Sequence, residues 1–220
     1  LLLAAESLLE DSLFYGGKGM LGLPVLLRGN GMCLATSLLR EYPWSAFSLT
    51  EDAEYGISLV AVAERPGGVA ETQVTCVAPE RRVEMAVQRS RWARGHFRLA
   101  LRYGPVLLLR GLAALDIGIC DFAVGLFATC KTVLVAWAAV AMVAAWLLRG
   151  VVGEGPALLG AGTLLALGGY GGLGLILCRP TMAELLRSVA AGPGILALRY
   201  AVLLRSLGCR SSQWVRTQRG

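Results

Sequence analysis

The chain has 220 residues, of which 55% are hydrophobic and only 16% charged, and its mean hydropathy is +0.60. This composition is too apolar for an ordinary soluble domain and predicts membrane spans. The formal net charge is +6; beside apolar segments, clustered arginine favours lipid headgroups or a nucleotide as partners, and no nucleic acid is expected.

The N-terminal region, residues 1–105, is predicted to combine helices with short strands. The chain begins with Leu1-Leu2-Leu3, without Met or a basic region before the leucines, so no signal peptide is predicted and a longer parent protein is expected. The predicted elements are a helix at 1–20, strands at 23–27, 32–35 and 73–77, a short helix at 36–41, and two further helices described below.

The first of these two helices is predicted to begin at Ser48. Ser48 and Glu51 have the S-x-x-E spacing of a capping box, in which each side chain satisfies a free backbone N–H group. Asp52 falls in the first turn, where the positive end of the helix dipole favours a carboxylate. A carboxylate in this position is a candidate general base. The alternative is a carboxylate that stabilises the helix start and has no further role.

The second helix, predicted over residues 86–102, contains Gln88-Arg89-Ser90-Arg91-Trp92. Gln88, Arg91 and Trp92 have i, i+3 and i+4 spacing and therefore share one face. The guanidinium of Arg91 suits a phosphate, and the indole of Trp92 suits the apolar face of a sugar ring. The alternative is a basic helix on a membrane surface, with Trp92 as an interfacial anchor.

The remaining residues, 106–220, are predicted to form a membrane region. Its predicted segments are an interfacial helix at 106–120, spans at 122–148 and 157–178, an amphipathic helix at 181–207, and a tail at 208–220. The amphipathic segment could also be a third span, but its arginines favour an interfacial position. Basic residues flank the two spans, which predicts a multi-pass protein of the cell membrane with both flanks in the cytoplasm.

Taken in order, these motifs resemble membrane-bound glycosyltransferase family 2, which includes the cellulose- and hyaluronan-synthase-like enzymes. The Q-x-x-R-W stretch at 88–92 follows an acidic Glu-Asp pair and precedes hydrophobic spans, as it does in that family. The similar stretches are Gly29-Asn30-Gly31-Met32, Ser48 to Gly56, Gln88 to Trp92, and Trp214-Val215-Arg216-Thr217-Gln218-Arg219. The resemblance covers nearly the whole chain.

The resemblance implies an α/β fold, the C-terminal part of a Rossmann-like (GT-A) nucleotide-sugar transferase domain, followed by interfacial and transmembrane helices. It implies inverting transfer of a sugar from a nucleotide-diphosphate sugar to a carbohydrate or lipid-linked acceptor, with Asp52 as the base. It also implies that Gln88, Arg91, Trp92, Glu51 and Gly31 form the acceptor side of the site. Trp214, Thr217 and Arg219 would close over the nucleotide.

The chain departs from the family in its acidic residues. The family binds its nucleotide and a divalent metal through an Asp-x-Asp motif, and the 220 residues contain none. A Mg or Mn ion is therefore expected to be bound by a missing N-terminal half. The six cysteines form no C-x-x-C motif and suggest neither a metal site nor a disulfide.

Two alternatives to this enzyme remain open. One is a catalytically inactive membrane scaffold or transporter-like subunit. The other is a non-processive polyprenyl-phosphate glycosyltransferase, although such enzymes usually lack Q-x-x-R-W.

Overall fold

The structure is a computed structural model that describes residues 2–69, 74, 82–128 and 131–208. All of the regular secondary structure within these ranges is helical. The helices are α1 (Leu2–Leu9), α2 (Gly16–Met20), α3 (Thr36–Glu41), α4 (Glu51–Ala61), α5 (Arg82–Ala114), α6 (Ile117–Ala128), α7 (Lys131–Leu147), α8 (Arg149–Val152), α9 (Gly155–Leu177) and α10 (Met182–Gly208), and a π-helical turn (Glu10–Tyr15) joins α1 to α2.

The prediction of an α/β, Rossmann-like domain is wrong, because the described residues form no strand and no sheet. The apolar run at 23–27 is extended, yet Pro24 lacks an N–H group, and the Val25 N–H donates to Pro66 O at 2.8 Å. Pro24 and Val25 are buried. Leu27 packs beside buried Tyr55 and Leu59 of α4. This run therefore contributes to the core without pairing in a sheet.

The two other predicted strands are at 32–35 and 73–77. Residues 32–35 are irregular. The predicted strand at 73–77 lies outside the described residues except for Val74, which has no regular structure.

The chain folds as two compact units. Residues 14–129 with 198–220 are called the site unit, and residues 1–13 with 130–197 the apolar unit.

The site unit has a core between α4, α5 and α6. α5 and α6 are antiparallel, since a Cβ at Gly104 would lie 2.6 Å from Phe127 Cε2 and one at Gly111 would lie 2.7 Å from Cys120 Sγ. These glycines let the two helices approach closely. The buried residues of this core are Ala53, Ile57, Val60, Leu99, Ala100, Leu107, Ile119, Phe122, Ala123 and Leu126.

α5 is longer than the helix predicted at 86–102. It continues through Gly104 and Pro105, where the sequence suggested a break before a separate interfacial helix. Pro105 removes one backbone donor, but the contacts of α5 with α6 on both sides of this point support a continuous helix.

Asp116 holds the turn between α5 and α6. Its Oδ1 accepts the Ile119 N–H at 3.1 Å, and its Oδ2 accepts a hydrogen bond from Arg65 at 2.8 Å. The Ile119 N–H first, and the Arg65 charge in addition, lower the pKa of the Asp116 carboxyl. The turn is thereby tied to the segment that follows α4.

In the apolar unit, α7 and α1 pack against α9. A Cβ at Gly160 would lie 2.8 Å from Met142 Cβ, and Gly174 contacts Leu9. α9 is a single 23-residue helix that is long and apolar enough, by length and composition, to cross a membrane. Residues 122–148, predicted as one span, are divided between α6 and α7, which belong to different units.

Candidate functional site

α4 carries Asp52, but the helix starts later than predicted and is capped differently. It begins at Glu51, with Thr50 at the N-cap position, and the Thr50 side chain makes no capping hydrogen bond. The Ser48 N–H donates to Glu54 Oε2 at 3.1 Å. The predicted Ser48–Glu51 capping box is therefore wrong, because Glu54, one turn into the helix, takes the role assigned to Glu51.

The Asp52 carboxylate is held by two backbone N–H groups. Oδ2 accepts from the Gly29 N–H at 2.6 Å, and Oδ1 accepts from the Ala53 N–H at 2.8 Å. Asp52 is partly exposed. Each carboxylate oxygen has a second lone pair, so the group can still accept a proton from a bound hydroxyl.

The contact with Gly29 brings together two stretches that the sequence analysis had singled out separately. A Cβ at Gly29 would lie 3.2 Å from Asp52 Oδ2, which makes glycine the residue that lets the loop approach the carboxylate. Gly29, Asn30 and Gly31 are all exposed. At Gly31, a Cβ would lie 2.8 Å from Val74 Cγ2. Within the described part of the chain, the loop is therefore exposed and Gly31 lies against Val74.

The segment before this loop is fixed against α4. A Cβ at Gly56 would lie 3.2 Å from the backbone nitrogen of Leu27. Trp44 stacks on Tyr55 with ring centroids 4.5 Å apart, and the Tyr55 hydroxyl donates to Tyr42 O at 2.6 Å. Burial raises the pKa of this tyrosine, so its hydroxyl keeps the proton that it donates.

Gln88, Arg91 and Trp92 lie in the N-terminal part of α5. Gln88 and Arg91 are partly buried, and Trp92 is 43% exposed. Gln88, Arg91 and Trp92 lie seven, four and three positions before Gly95. With this helical spacing they lie on the same face of α5 as Gly95 and buried Leu99.

Gly95 joins this face to the start of α4. A Cβ at Gly95 would lie 2.5 Å from Thr50 Oγ1 and 3.0 Å from Thr50 Cβ, and would also collide with Thr50 Cγ2. Thr50 is 3% exposed. The residue two positions before Asp52 therefore touches α5 one turn after Arg91.

The other predicted site residues have different outcomes. Glu51 is exposed in the first turn of α4. Trp214, Thr217 and Arg219 lie outside the described residues.

Sequence reasoning missed the contact between Thr50 and Gly95. A glycine inside a helical pattern is a signal of close approach by another element. It does not reveal which element approaches, because Thr50 is distant in sequence.

The described residues do not fit a divalent metal ion. No group of three or more His, Cys, Asp or Glu side chains that could hold a metal occurs among them.

The sequence matches no protein-family model, and neither a curated protein nor a solved structure is detectably similar to it.

Proposed function

We propose that this chain carries the acceptor side of the active site in a membrane-bound glycosyltransferase. The reaction is inverting transfer of a sugar from a nucleotide-diphosphate sugar to a carbohydrate or lipid-linked acceptor.

The observation that carries this proposal is the convergence of three separate stretches. The Gly29 N–H holds the Asp52 carboxylate at 2.6 Å. Thr50, at the start of the same helix, packs on Gly95 of α5. A helix that only anchors the protein to a membrane would not need Gly95, one turn beyond Arg91, packed against the residue two positions before a partly exposed carboxylate.

In the proposed reaction, Asp52 accepts the proton of the acceptor hydroxyl. The hydroxyl oxygen attacks the anomeric carbon of the donor as the bond from that carbon to the diphosphate oxygen breaks, which inverts the centre. Arg91 stabilises the negative charge that develops on the diphosphate. Trp92 stacks on the acceptor sugar. The products are the glycosylated acceptor, a nucleoside diphosphate and a proton on Asp52, which solvent then removes.

Donor binding and any divalent metal are assigned to protein outside these residues. Trp214, Thr217 and Arg219 are proposed to close over the bound nucleotide.

The membrane setting has partial support. α9 is long and apolar enough to span a bilayer. We propose, in addition, that the protein crosses the cell membrane more than once and that the site faces the cytoplasm. This orientation follows the arginine-rich flanks of the predicted spans.

The test is transfer by the whole protein in lipid nanodiscs, with a panel of radiolabelled nucleotide-diphosphate sugars. Asp52→Asn keeps the size of the side chain and one of its two acceptor oxygens, but removes the base. We expect it to abolish transfer while nucleotide binding survives. Near-normal turnover would contradict the assignment of Asp52.

The matched control is Asp11→Asn, the same chemical change at an exposed carboxylate that accepts a hydrogen bond from Ser7 at 3.2 Å. It should leave transfer unchanged. If the wild-type protein transfers no sugar from any donor, the inactive scaffold is the better description.

A further inference from the structure

We infer that Thr50 and Gly95 are positioning residues, and that their contact sets the distance between Asp52 and the face formed by Gln88, Arg91 and Trp92. This inference rests on the proposed function and names a second pair of residues on which the same site depends. Neither residue is a candidate for contact with substrate.

The contact leaves no room for a side chain at position 95. Non-bonded carbon atoms are in favourable contact at roughly 3.5–4.0 Å. The 3.0 Å from a Cβ at Gly95 to Thr50 Cβ is too short, and the 2.5 Å to Thr50 Oγ1 is shorter still. An added methyl group would have to push the two helices apart by about 1 Å, given the same contact distances.

Thr50 cannot move aside easily. It is 3% exposed, and its carbonyl accepts the Glu54 N–H at 3.0 Å in the first turn of α4. Ala53, in the same turn, is fully buried in the core with Leu99. A collision at Gly95 is therefore transmitted to the helix start rather than absorbed by rotation of one side chain.

The Thr50 hydroxyl supports a packing role. Its Oγ1 is buried and, among the described residues, has no hydrogen-bond partner. It also does not cap α4. A buried hydroxyl without a partner is unfavourable, so the shape of the side chain, and not a hydrogen bond, fixes Thr50 against Gly95.

Both groups of the proposed chemistry lie close to this contact. Asp52 follows Thr50 by two residues, and Arg91 precedes Gly95 by one helical turn, about 6 Å along the axis. A displacement of about 1 Å at reacting groups can lower a rate by roughly 100-fold. Substrate affinity is less sensitive, because the donor is proposed to bind mostly outside these residues.

The experiment compares Gly95→Ala, Thr50→Ala and the double variant in the whole protein. Gly95→Ala should lower kcat by roughly 100-fold, with the KM for the donor changed by less than about threefold. Thr50→Ala removes Oγ1 and Cγ2, the two closest atoms, and leaves only the 3.0 Å approach of the two Cβ atoms, so the double variant should recover a large part of the lost kcat. Thr50→Ala only deletes atoms, so it can restore the kcat of Gly95→Ala only if that variant lost kcat through a steric collision.

The matched control is Gly104→Ala on the same helix, about 13 Å from Gly95 along the axis. A Cβ there would meet Phe127 of α6 at 2.6 Å, so it tests helix packing away from Asp52. This variant should lower the thermal unfolding temperature and leave kcat within about threefold of wild type.

The inference is overturned if Gly95→Ala retains its kcat while Asp52→Asn is inactive, or if the double variant folds and shows no recovery. If Gly95→Ala fails to fold, the double variant alone tests the inference. A double variant that folds and has near-normal kcat supports a steric contact between Thr50 and residue 95. If Asp52→Asn is itself fully active, the proposed function has failed, and Gly95→Ala kinetics then report only on packing.

Discussion

At the scale of single residues, Arg91 and Trp92 are neighbours in sequence with different surroundings. Arg91 is partly buried, whereas Trp92 is 43% exposed on the adjoining part of the helix surface. The side chain that is more enclosed is the one assigned to the leaving diphosphate, where a water-poor setting strengthens electrostatic stabilisation.

We therefore predict that the two residues fail differently when truncated. Arg91→Ala should lower kcat and kcat/KM together, by on the order of 100-fold, because it removes a donor that acts in the transition state. Trp92→Ala should raise the KM for the acceptor or shorten the product, with donor binding little changed. Steady-state kinetics on purified variants with matched unfolding temperatures measure both.

Identical kinetic profiles for Arg91→Ala and Trp92→Ala, together with a similar loss of membrane association, would favour an anchoring helix. That was the alternative left open by the sequence alone.

At the scale of elements, two helices of the site unit end on left-handed residues that are not glycine. Ala63 has φ 67° after α4, and Leu115 has φ 53° after α5. The Asp116 N–H donates to Gly111 O at 2.9 Å across the second of these ends. Such positions favour glycine, because a Cβ is strained there.

We predict that Leu115→Gly raises the free energy of unfolding by about 1 kcal/mol. Leu115 is 90% exposed, so its removal forfeits little packing. Leu112→Gly is the control, and it should lower the free energy of unfolding by about 1 kcal/mol. Leu112 is also exposed, at 58%, but it lies inside α5, where glycine is unfavourable. Thermal unfolding in detergent compares the two, and a destabilised Leu115→Gly would contradict the strain argument.

Several elements could be predicted from local patterns. α3 has the predicted bounds, and α10 covers nearly the predicted amphipathic segment. Thr181 and Glu184 form a capping box before α10, with the Thr181 N–H to Glu184 Oε2 distance at 2.8 Å. The T-x-x-E pattern at 181–184 therefore forms a capping box, whereas the S-x-x-E pattern at 48–51 does not. A short motif identifies residues that could cap a helix. Tertiary contacts determine which of them forms the capping hydrogen bond.

The strands could not be predicted correctly, for a related reason. An apolar run such as 23–27 suits a buried strand or any buried extended segment. A strand requires a paired neighbour, and pairing is set by distant parts of the chain. The i, i+3, i+4 spacing of Gln88, Arg91 and Trp92 is local and can be read from the sequence. The approach of Gly29 to Asp52 and of Gly95 to Thr50 depends on distant parts of the chain and cannot.

At the scale of the whole molecule, the arginine-rich segments on either side of the predicted membrane spans predict the orientation of the protein in the membrane. With the native cysteines replaced, a probe at Glu154→Cys should be labelled from outside the cell, and one at Ser211→Cys should not. Glu154 is exposed just before α9. It is preferred to Gly153, whose φ of 73° disfavours a side chain. Maleimide labelling of intact cells measures this, and the reverse pattern would overturn the proposed cytoplasmic site.

The division of the chain into two units also has a consequence for the order of folding. The site unit interrupts the apolar unit in sequence, since residues 1–13 belong with 130–197. The contact of Leu9 with Gly174 closes a very long loop, whereas α5 and α6 are joined by a short turn. Contacts between residues distant in sequence form slowly, because the chain loses the entropy of loop closure before the contacts can stabilise it. During synthesis, the α5–α6 hairpin can therefore assemble early, while α1 has to wait for α9 to emerge from the ribosome.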